Sequence, residues 1–151
     1  MKHVWSVICR HHIVDEESKN VSLIDIVDRL SFEGELPEKR PFELPLPNVY
    51  YFISTWMSEK GDVQDKYDVM VKIIDPTGVE IGNFRNELVM EPPDGSRTIG
   101  AMETFLYTVD GTYWLELHLT KENDTTPVAH IPIEILHRQS EPEQQASEPT
   151  K

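Results

Sequence analysis

The residues best equipped for chemistry in this chain are its six histidines, its single cysteine and its many carboxylates. His3, Cys9 and His11 are separated by even numbers within one apolar stretch, so on a strand they share a face. His11 and His12 are adjacent, point to opposite faces and cannot chelate one ion together. A metal site needs several ligands converging at defined spacing, and the apolar setting of Cys9 favours a place in a core instead. His118 and His130 fall on neighbouring outward faces of two late strands, and their pairing makes no better case for a metal. Nucleophilic catalysis fares no better, because Cys9 and His11 at i and i+2 of a strand lie roughly 7 Å apart, beyond direct hydrogen bonding.

The loop carboxylates Asp15, Glu16, Glu17, Asp62, Asp65, Asp94 and Asp124 are the oxygen ligands calcium prefers. They lack a tight Asp-x-Asp spacing and read as solvated loop acids. Tyr50, Tyr51, Phe52 and Trp56 could form a sugar platform, but alternation sends them to both faces of a strand, where aromatics are favoured for packing alone. There is no Gly-x-Ser-x-Gly elbow, phosphate-binding glycine loop or dinucleotide fingerprint. The expectation is therefore no catalytic, cofactor or metal residue, and the balance leans away from an enzyme.

Charge narrows the partners. The formal net charge is −13. Glu141, Glu143, Glu148 and Lys151 supply −2 of it, leaving −11 on residues 1–138. Such a field repels nucleic acid and anionic lipid and favours a basic partner; Arg10, His11 and His12 are the only basic run. A lone cysteine makes no intrachain disulfide. The N-terminus lacks a signal-peptide core, and no apolar run approaches the ~20 residues of a membrane span. A cytoplasmic protein is expected.

Eight segments at short intervals read as strands, which predicts an all-β, two-sheet antiparallel sandwich over residues 1–138 and a disordered acidic tail over 139–151. Val4 to Ile13 comes first, followed by an acidic loop. Val21 to Phe32 is compatible with a helical stripe at spacing three, but its β-branched content and strand neighbours favour a strand, interrupted by Asp28. Glu33 to Asn48, with Pro37, Pro41, Pro45 and Pro47, reads as a proline-rich crossover loop. Val49 to Met57 and a strand carrying Tyr67, Val69, Val71 and Ile73 follow. Asp75-Pro76-Thr77-Gly78 is a β-turn, and Val79 to Met90 returns from it. Thr98 to Val109 leads through Asp110-Gly111 into alternating Tyr113, Leu115, Leu117 and Leu119. Ile131, Ile133 and Ile135 mark the last strand, where Pro132 implies an edge.

Asp110-Gly111-Thr112-Tyr113-Trp114-Leu115 resembles the Asp-x-Gly-x-Tyr-x-Cys corner of immunoglobulin-like sandwiches, with one spacer deleted and Leu115 in the cysteine's place. The resemblance covers about the last 90 residues. It implies that the Tyr113 hydroxyl bonds back to the upstream chain, with Asp110 and Gly111 forming the corner, and that Trp56 is the buried core tryptophan. The disulfide and the proline-rich crossover depart from that family's pattern. The whole chain is also similar to a group of small bacterial β-sandwich proteins of unknown function, through Ser22-Leu23-Ile24, an Asp-Pro-x-Gly turn and a Gly-x-Tyr corner. The functional expectation is a non-enzymatic protein-interaction module, binding another protein or a second copy. The alternative is a ligand-binding or catalytic sandwich that uses the proline-rich crossover and the acidic loops.

Overall fold

The computed structural model describes residues 1–59, 66–88, 95–122 and 124–138. Alternating, β-branched segments form strands throughout: β1 (Lys2–Val14), β2 (Val21–Ile26), β3 (Arg29–Glu33), β4 (Phe42–Met57), β5 (Tyr67–Ile74), β6 (Glu80–Leu88), β7 (Gly95–Tyr107), β8 (Gly111–Lys121) and β9 (Asp124–Arg138). Two sheets pack face to face, one ordered β2-β1-β4-β7 and the other β3-β9-β8-β5-β6. The described strands number nine rather than eight, and one neighbouring pair, β3 with β9, is parallel. No helix of the described residues is long and apolar enough to cross a membrane.

The clean period-two stretches do what their pattern demands. Tyr67, Val69 and Val71 of β5, Tyr113, Leu115 and Leu117 of β8, and Ile133 and Ile135 of β9 are buried between the sheets, each at most 4% exposed. Burying an aliphatic side chain of this size contributes roughly 1.5–3 kcal/mol, so this set dominates the core. Phe52 and Trp56 of β4 and Ile8 of β1 meet it from the four-stranded sheet. Trp56 thus lies on the sheet opposite Tyr113, whereas an immunoglobulin-type core tryptophan belongs to the tyrosine's own sheet. Leu115, in the place of that family's cysteine, is fully buried.

Val21 to Phe32 is neither one strand nor a helix. Val27 N–H still donates to the Ile8 carbonyl, at 2.8 Å, while the Asp28 carbonyl already accepts from Glu134 N–H, at 2.8 Å. The chain changes sheets between these two residues, at the Asp28 interruption. Ile24 and Ile26 therefore stay on the four-stranded sheet and exposed, while Leu30 enters the core.

The expected proline-rich crossover is likewise shorter than Glu33 to Asn48. Only the segment from Gly34 to Pro41, with a cis Arg40–Pro41 peptide, joins the sheets. Pro45 and Pro47 belong to β4, which pairs β7 from Phe42 onward with a register shift between Pro45 and Tyr50. They are tolerated because β1 pairs β4 only from Tyr51 onward, so one edge of β4 lacks a neighbour there and a missing N–H breaks no ladder. Pro132 obeys the same rule. Its strand is internal to the sheet, but β3 covers it only from Glu134 onward, so Pro132 sits at a local edge.

One end of the sandwich is tied by two turns. Asp75 closes the β5–β6 turn, and Gly111 follows the β7–β8 corner at φ +141°. A Cβ added at Gly111 would stand 3.0 Å from both Cβ and Cγ of Pro76. Gly111→Ala is therefore expected to cost on the order of 1–3 kcal/mol, read as a lower urea midpoint; an unchanged midpoint would contradict the packing of these turns.

Candidate functional site

The corner residues come together as a hydrogen-bonded knot. Tyr113 is fully buried, and its hydroxyl accepts from Thr108 N–H at 2.8 Å and Val109 N–H at 3.2 Å while donating to the Val109 carbonyl at 2.8 Å. Asp75 Oδ2 accepts from the Thr108 hydroxyl at 2.9 Å, which joins this corner to the β5–β6 turn. Asp110 Oδ1 accepts from the Tyr107 hydroxyl at 3.0 Å and from His137 N–H at 2.6 Å. Burial, then the Asp110 carboxylate, push the Tyr107 phenol up to about 12, so it stays a neutral donor. These bonds tie the corner to the neighbouring turn and to β9, as a structural corner requires.

The histidines and the cysteine scatter. Cys9 is fully buried, and burial raises its thiol, which disfavours the reactive thiolate. His3 packs edge-on against Trp56 with ring centroids 5.1 Å apart, and its Nε2 lies 2.7 Å from Ser6 Oγ. Burial holds its pKa down, partly offset by a hydrogen bond with the Trp5 backbone. His12 packs on Tyr51 at 4.6 Å. On the outward face of the five-stranded sheet, Glu116 lies between His118 and His130, at 3.5 and 3.6 Å. Among the described residues no group of three His, Cys, Asp or Glu side chains could hold a metal ion. Of the loop acids, Asp15 caps its own turn through Ser18, and Asp62, Asp65 and Asp94 lie outside the described residues, as does the tail from residue 139. Tyr50, Phe52 and Trp56 are core, so they form no sugar platform.

A depression of about 350 Å³ is lined by Lys66, Tyr67, Asp68, Glu87, Thr120, Lys121 and Glu122. It is open and mostly charged, unlike the apolar concavities that bury small ligands.

The more informative surface is on the four-stranded sheet. Register places Val7, Ile53 and Ile99 in one row across β1, β4 and β7, and Cys9, Tyr51 and Ala101 in the next, extended by Ile26 of β2. Residues directly opposite share a face, and neighbouring Ile8 and Phe52 point to the core, so these rows face outward. Yet Ile53 and Cys9 are fully buried. The β1–β2 hairpin explains this. A straight hairpin would carry its tip roughly 30 Å beyond the row of Trp5, Thr55 and Arg97 at ~3.3 Å per residue. Instead Arg97 Nη2 donates to the Lys19 carbonyl in that tip, at 3.3 Å. The hairpin therefore curls back toward the outward face of its own sheet, where His12 of β1 packs on Tyr51.

The hairpin carries apolar side chains into solvent. Ile13, Val14, Ile24 and Ile26 of the hairpin are exposed, and so are Val4, Val49, Met57 and Ile99 on the same sheet; on the other sheet Trp114 is exposed, and Val79 and Val109 are exposed in the turns at its end. Apolar exposure gathered on one side of a domain marks an interaction surface, whereas single scattered residues do not. Sequence reading missed this site, although the signal was present: β1 and β2 are apolar on both faces, more than a strand with one solvated face needs. Compared with known proteins, the chain matches no protein-family model, no curated protein and no solved structure.

Proposed function

We propose that this chain is a non-enzymatic protein-interaction module of the cytoplasm, built as an immunoglobulin-like sandwich, whose contact surface is the curled β1–β2 hairpin. The observation that carries the reading is the one-sided exposure of Ile13, Val14, Ile24 and Ile26. Acidic residues flank these side chains, with Asp15, Glu16, Glu17, Asp25 and Asp28 against Lys19 alone between positions 13 and 28. An apolar segment bearing Lys or Arg complements this surface, and the acidic balance of the whole chain steers it there. Support for the immunoglobulin-like design comes from the order β9-β8-β5-β6, which corresponds to the G-F-C-C′ sheet of variable-type domains, and from the Tyr113 corner on the strand that would be F.

The test is a double substitution, Ile24→Asp with Ile26→Asp. Both side chains are exposed, so the thermal midpoint should stay within about 2 °C of wild type. In a quantitative pull-down from the native source at low salt, wild type should enrich a basic protein that the variant loses at least tenfold. Retention of every partner by the variant would overturn the hairpin assignment.

A further inference from the structure

A second surface has the makings of a site, and it lies where β3, the crossing segment, β4 and β7 meet. Three aromatic rings converge there. Phe32 packs edge-on against Tyr107 with centroids 5.1 Å apart, and Phe42 tilts against the same ring at 5.4 Å. The guanidinium of Arg40 sits on this cluster, its Cζ 5.1 Å from the Phe42 centroid and 5.3 Å from that of Tyr107. A ring face presents negative quadrupole density to a cation, and planar guanidinium is the cation that stacks on it best. Asp110 stands beside the rings, held by the Tyr107 hydroxyl and His137 N–H. Both of these bonds go to Oδ1, which leaves Oδ2 without a partner among the described residues.

Arg40 uses only part of what this cluster offers. It is an exposed residue of the crossing segment, and its Nη1 donates to the Pro37 carbonyl three residues back. It makes no ion pair with Asp110 or with any other described carboxylate. Tyr107 is buried, while Phe32 and Phe42 are half-buried around Arg40. A guanidinium arriving from solvent in Arg40's place can take the accessible ring surface and Oδ2 together, which is the charge-assisted geometry arginine favours.

We propose that Phe32, Phe42, Tyr107 and Asp110 form a recognition site for the arginine side chain of a basic protein partner, and that Arg40 closes this site in cis. The partner's arginine displaces Arg40, so the crossing segment acts as an internal competitor that sets the affinity. This inference goes beyond the hairpin surface and does not rest on it, because the two share no residue.

The experiment is an NMR titration of the full chain with N-acetylarginine amide. An incoming guanidinium must replace the contacts of Arg40 with two rings and one hydrogen bond, so Arg40→Ala should bind on the order of tenfold more tightly than wild type. Shifts should centre on the Phe32, Phe42 and Tyr107 rings. Adding Asp110→Asn, which keeps the acceptor for Tyr107 and His137 but removes the charge, should reverse most of that gain. Arg40→Gln, which retains a donor for Pro37, serves if the alanine variant does not fold. Equal binding by wild type and the Arg40 variants, or shifts centred elsewhere, would overturn the proposal. The Ile24→Asp, Ile26→Asp variant should bind the amide as wild type does, so failure of the hairpin reading and failure of this one are told apart.

Discussion

Tyr113→Phe is expected to lower the unfolding free energy by about 2 kcal/mol, although it removes a single oxygen atom. The reason lies in what the oxygen serves. Its loss leaves Thr108 N–H, Val109 N–H and the Val109 carbonyl without their partner. An ordinary buried hydrogen bond contributes about 1 kcal/mol, but an orphaned donor costs its full desolvation. Partial access of water to this turn keeps the total below the sum of three such penalties. The measurement is urea unfolding at neutral pH with the slope compared between variants. A loss under about 0.5 kcal/mol would mean that the turn re-forms its bonds with solvent and that the hydroxyl pins nothing.

Asp75→Asn should cost on the order of 2–3 kcal/mol at neutral pH, and the deficit should shrink in acid. Asp75 is only 5% exposed. Burial pushes its carboxyl up, but that push is outweighed by the Thr77 hydroxyl at 2.6 Å, Val79 N–H at 3.0 Å, the Thr108 hydroxyl at 2.9 Å and Thr77 N–H at 2.9 Å. The net result is a carboxyl held below its ordinary value. The unfolded chain titrates near ~3.9. A depressed folded value therefore stabilises the native state fully above that pH, and the stabilisation is lost as pH falls through the folded value. Asparagine offers one acceptor oxygen and does not titrate, so its stability curve should be flatter between roughly pH 4 and 2. Parallel wild-type and variant curves across that window would show that Asp75 is not held as an anion. Because Asp75 also bonds Thr108, the two substitutions act on one network and should be less than additive when combined.

Both predictions concern the end of the molecule where local sequence speaks most clearly. Asp75-Pro76-Thr77-Gly78 and Asp110-Gly111-Thr112-Tyr113 each encode their turn within four residues, and β5 before the first and β8 after the second alternate cleanly. Burial of Tyr113, Leu115 and Leu117 followed directly from that alternation. The N-terminal third was less legible for a physical reason. Strand and sheet change are different events, and a sheet change leaves only a weak mark in sequence. Here it is Asp28, between a residue bonded to β1 and one bonded to β9. The prolines misled in the same way. Pro45 and Pro47 break strands only where a ladder needs their N–H, and β1 is absent from that stretch of β4.

The two proposed sites were legible only as ingredients. An apolar hairpin was visible in Ile13, Val14, Ile24 and Ile26, but its curl shows only in contacts such as that of Arg97 with Lys19, 78 residues away in the chain. Phe32, Arg40, Phe42 and Tyr107 carried no shared motif, because β3 belongs to one sheet and β4 and β7 to the other. Period, charge and turn chemistry are local properties, so the all-β class, the acidic field and the two turns are legible in the chain alone. The tertiary structure decided which apolar residues remain outside and which rings meet a cation, since both depend on pairing between strands far apart in the chain.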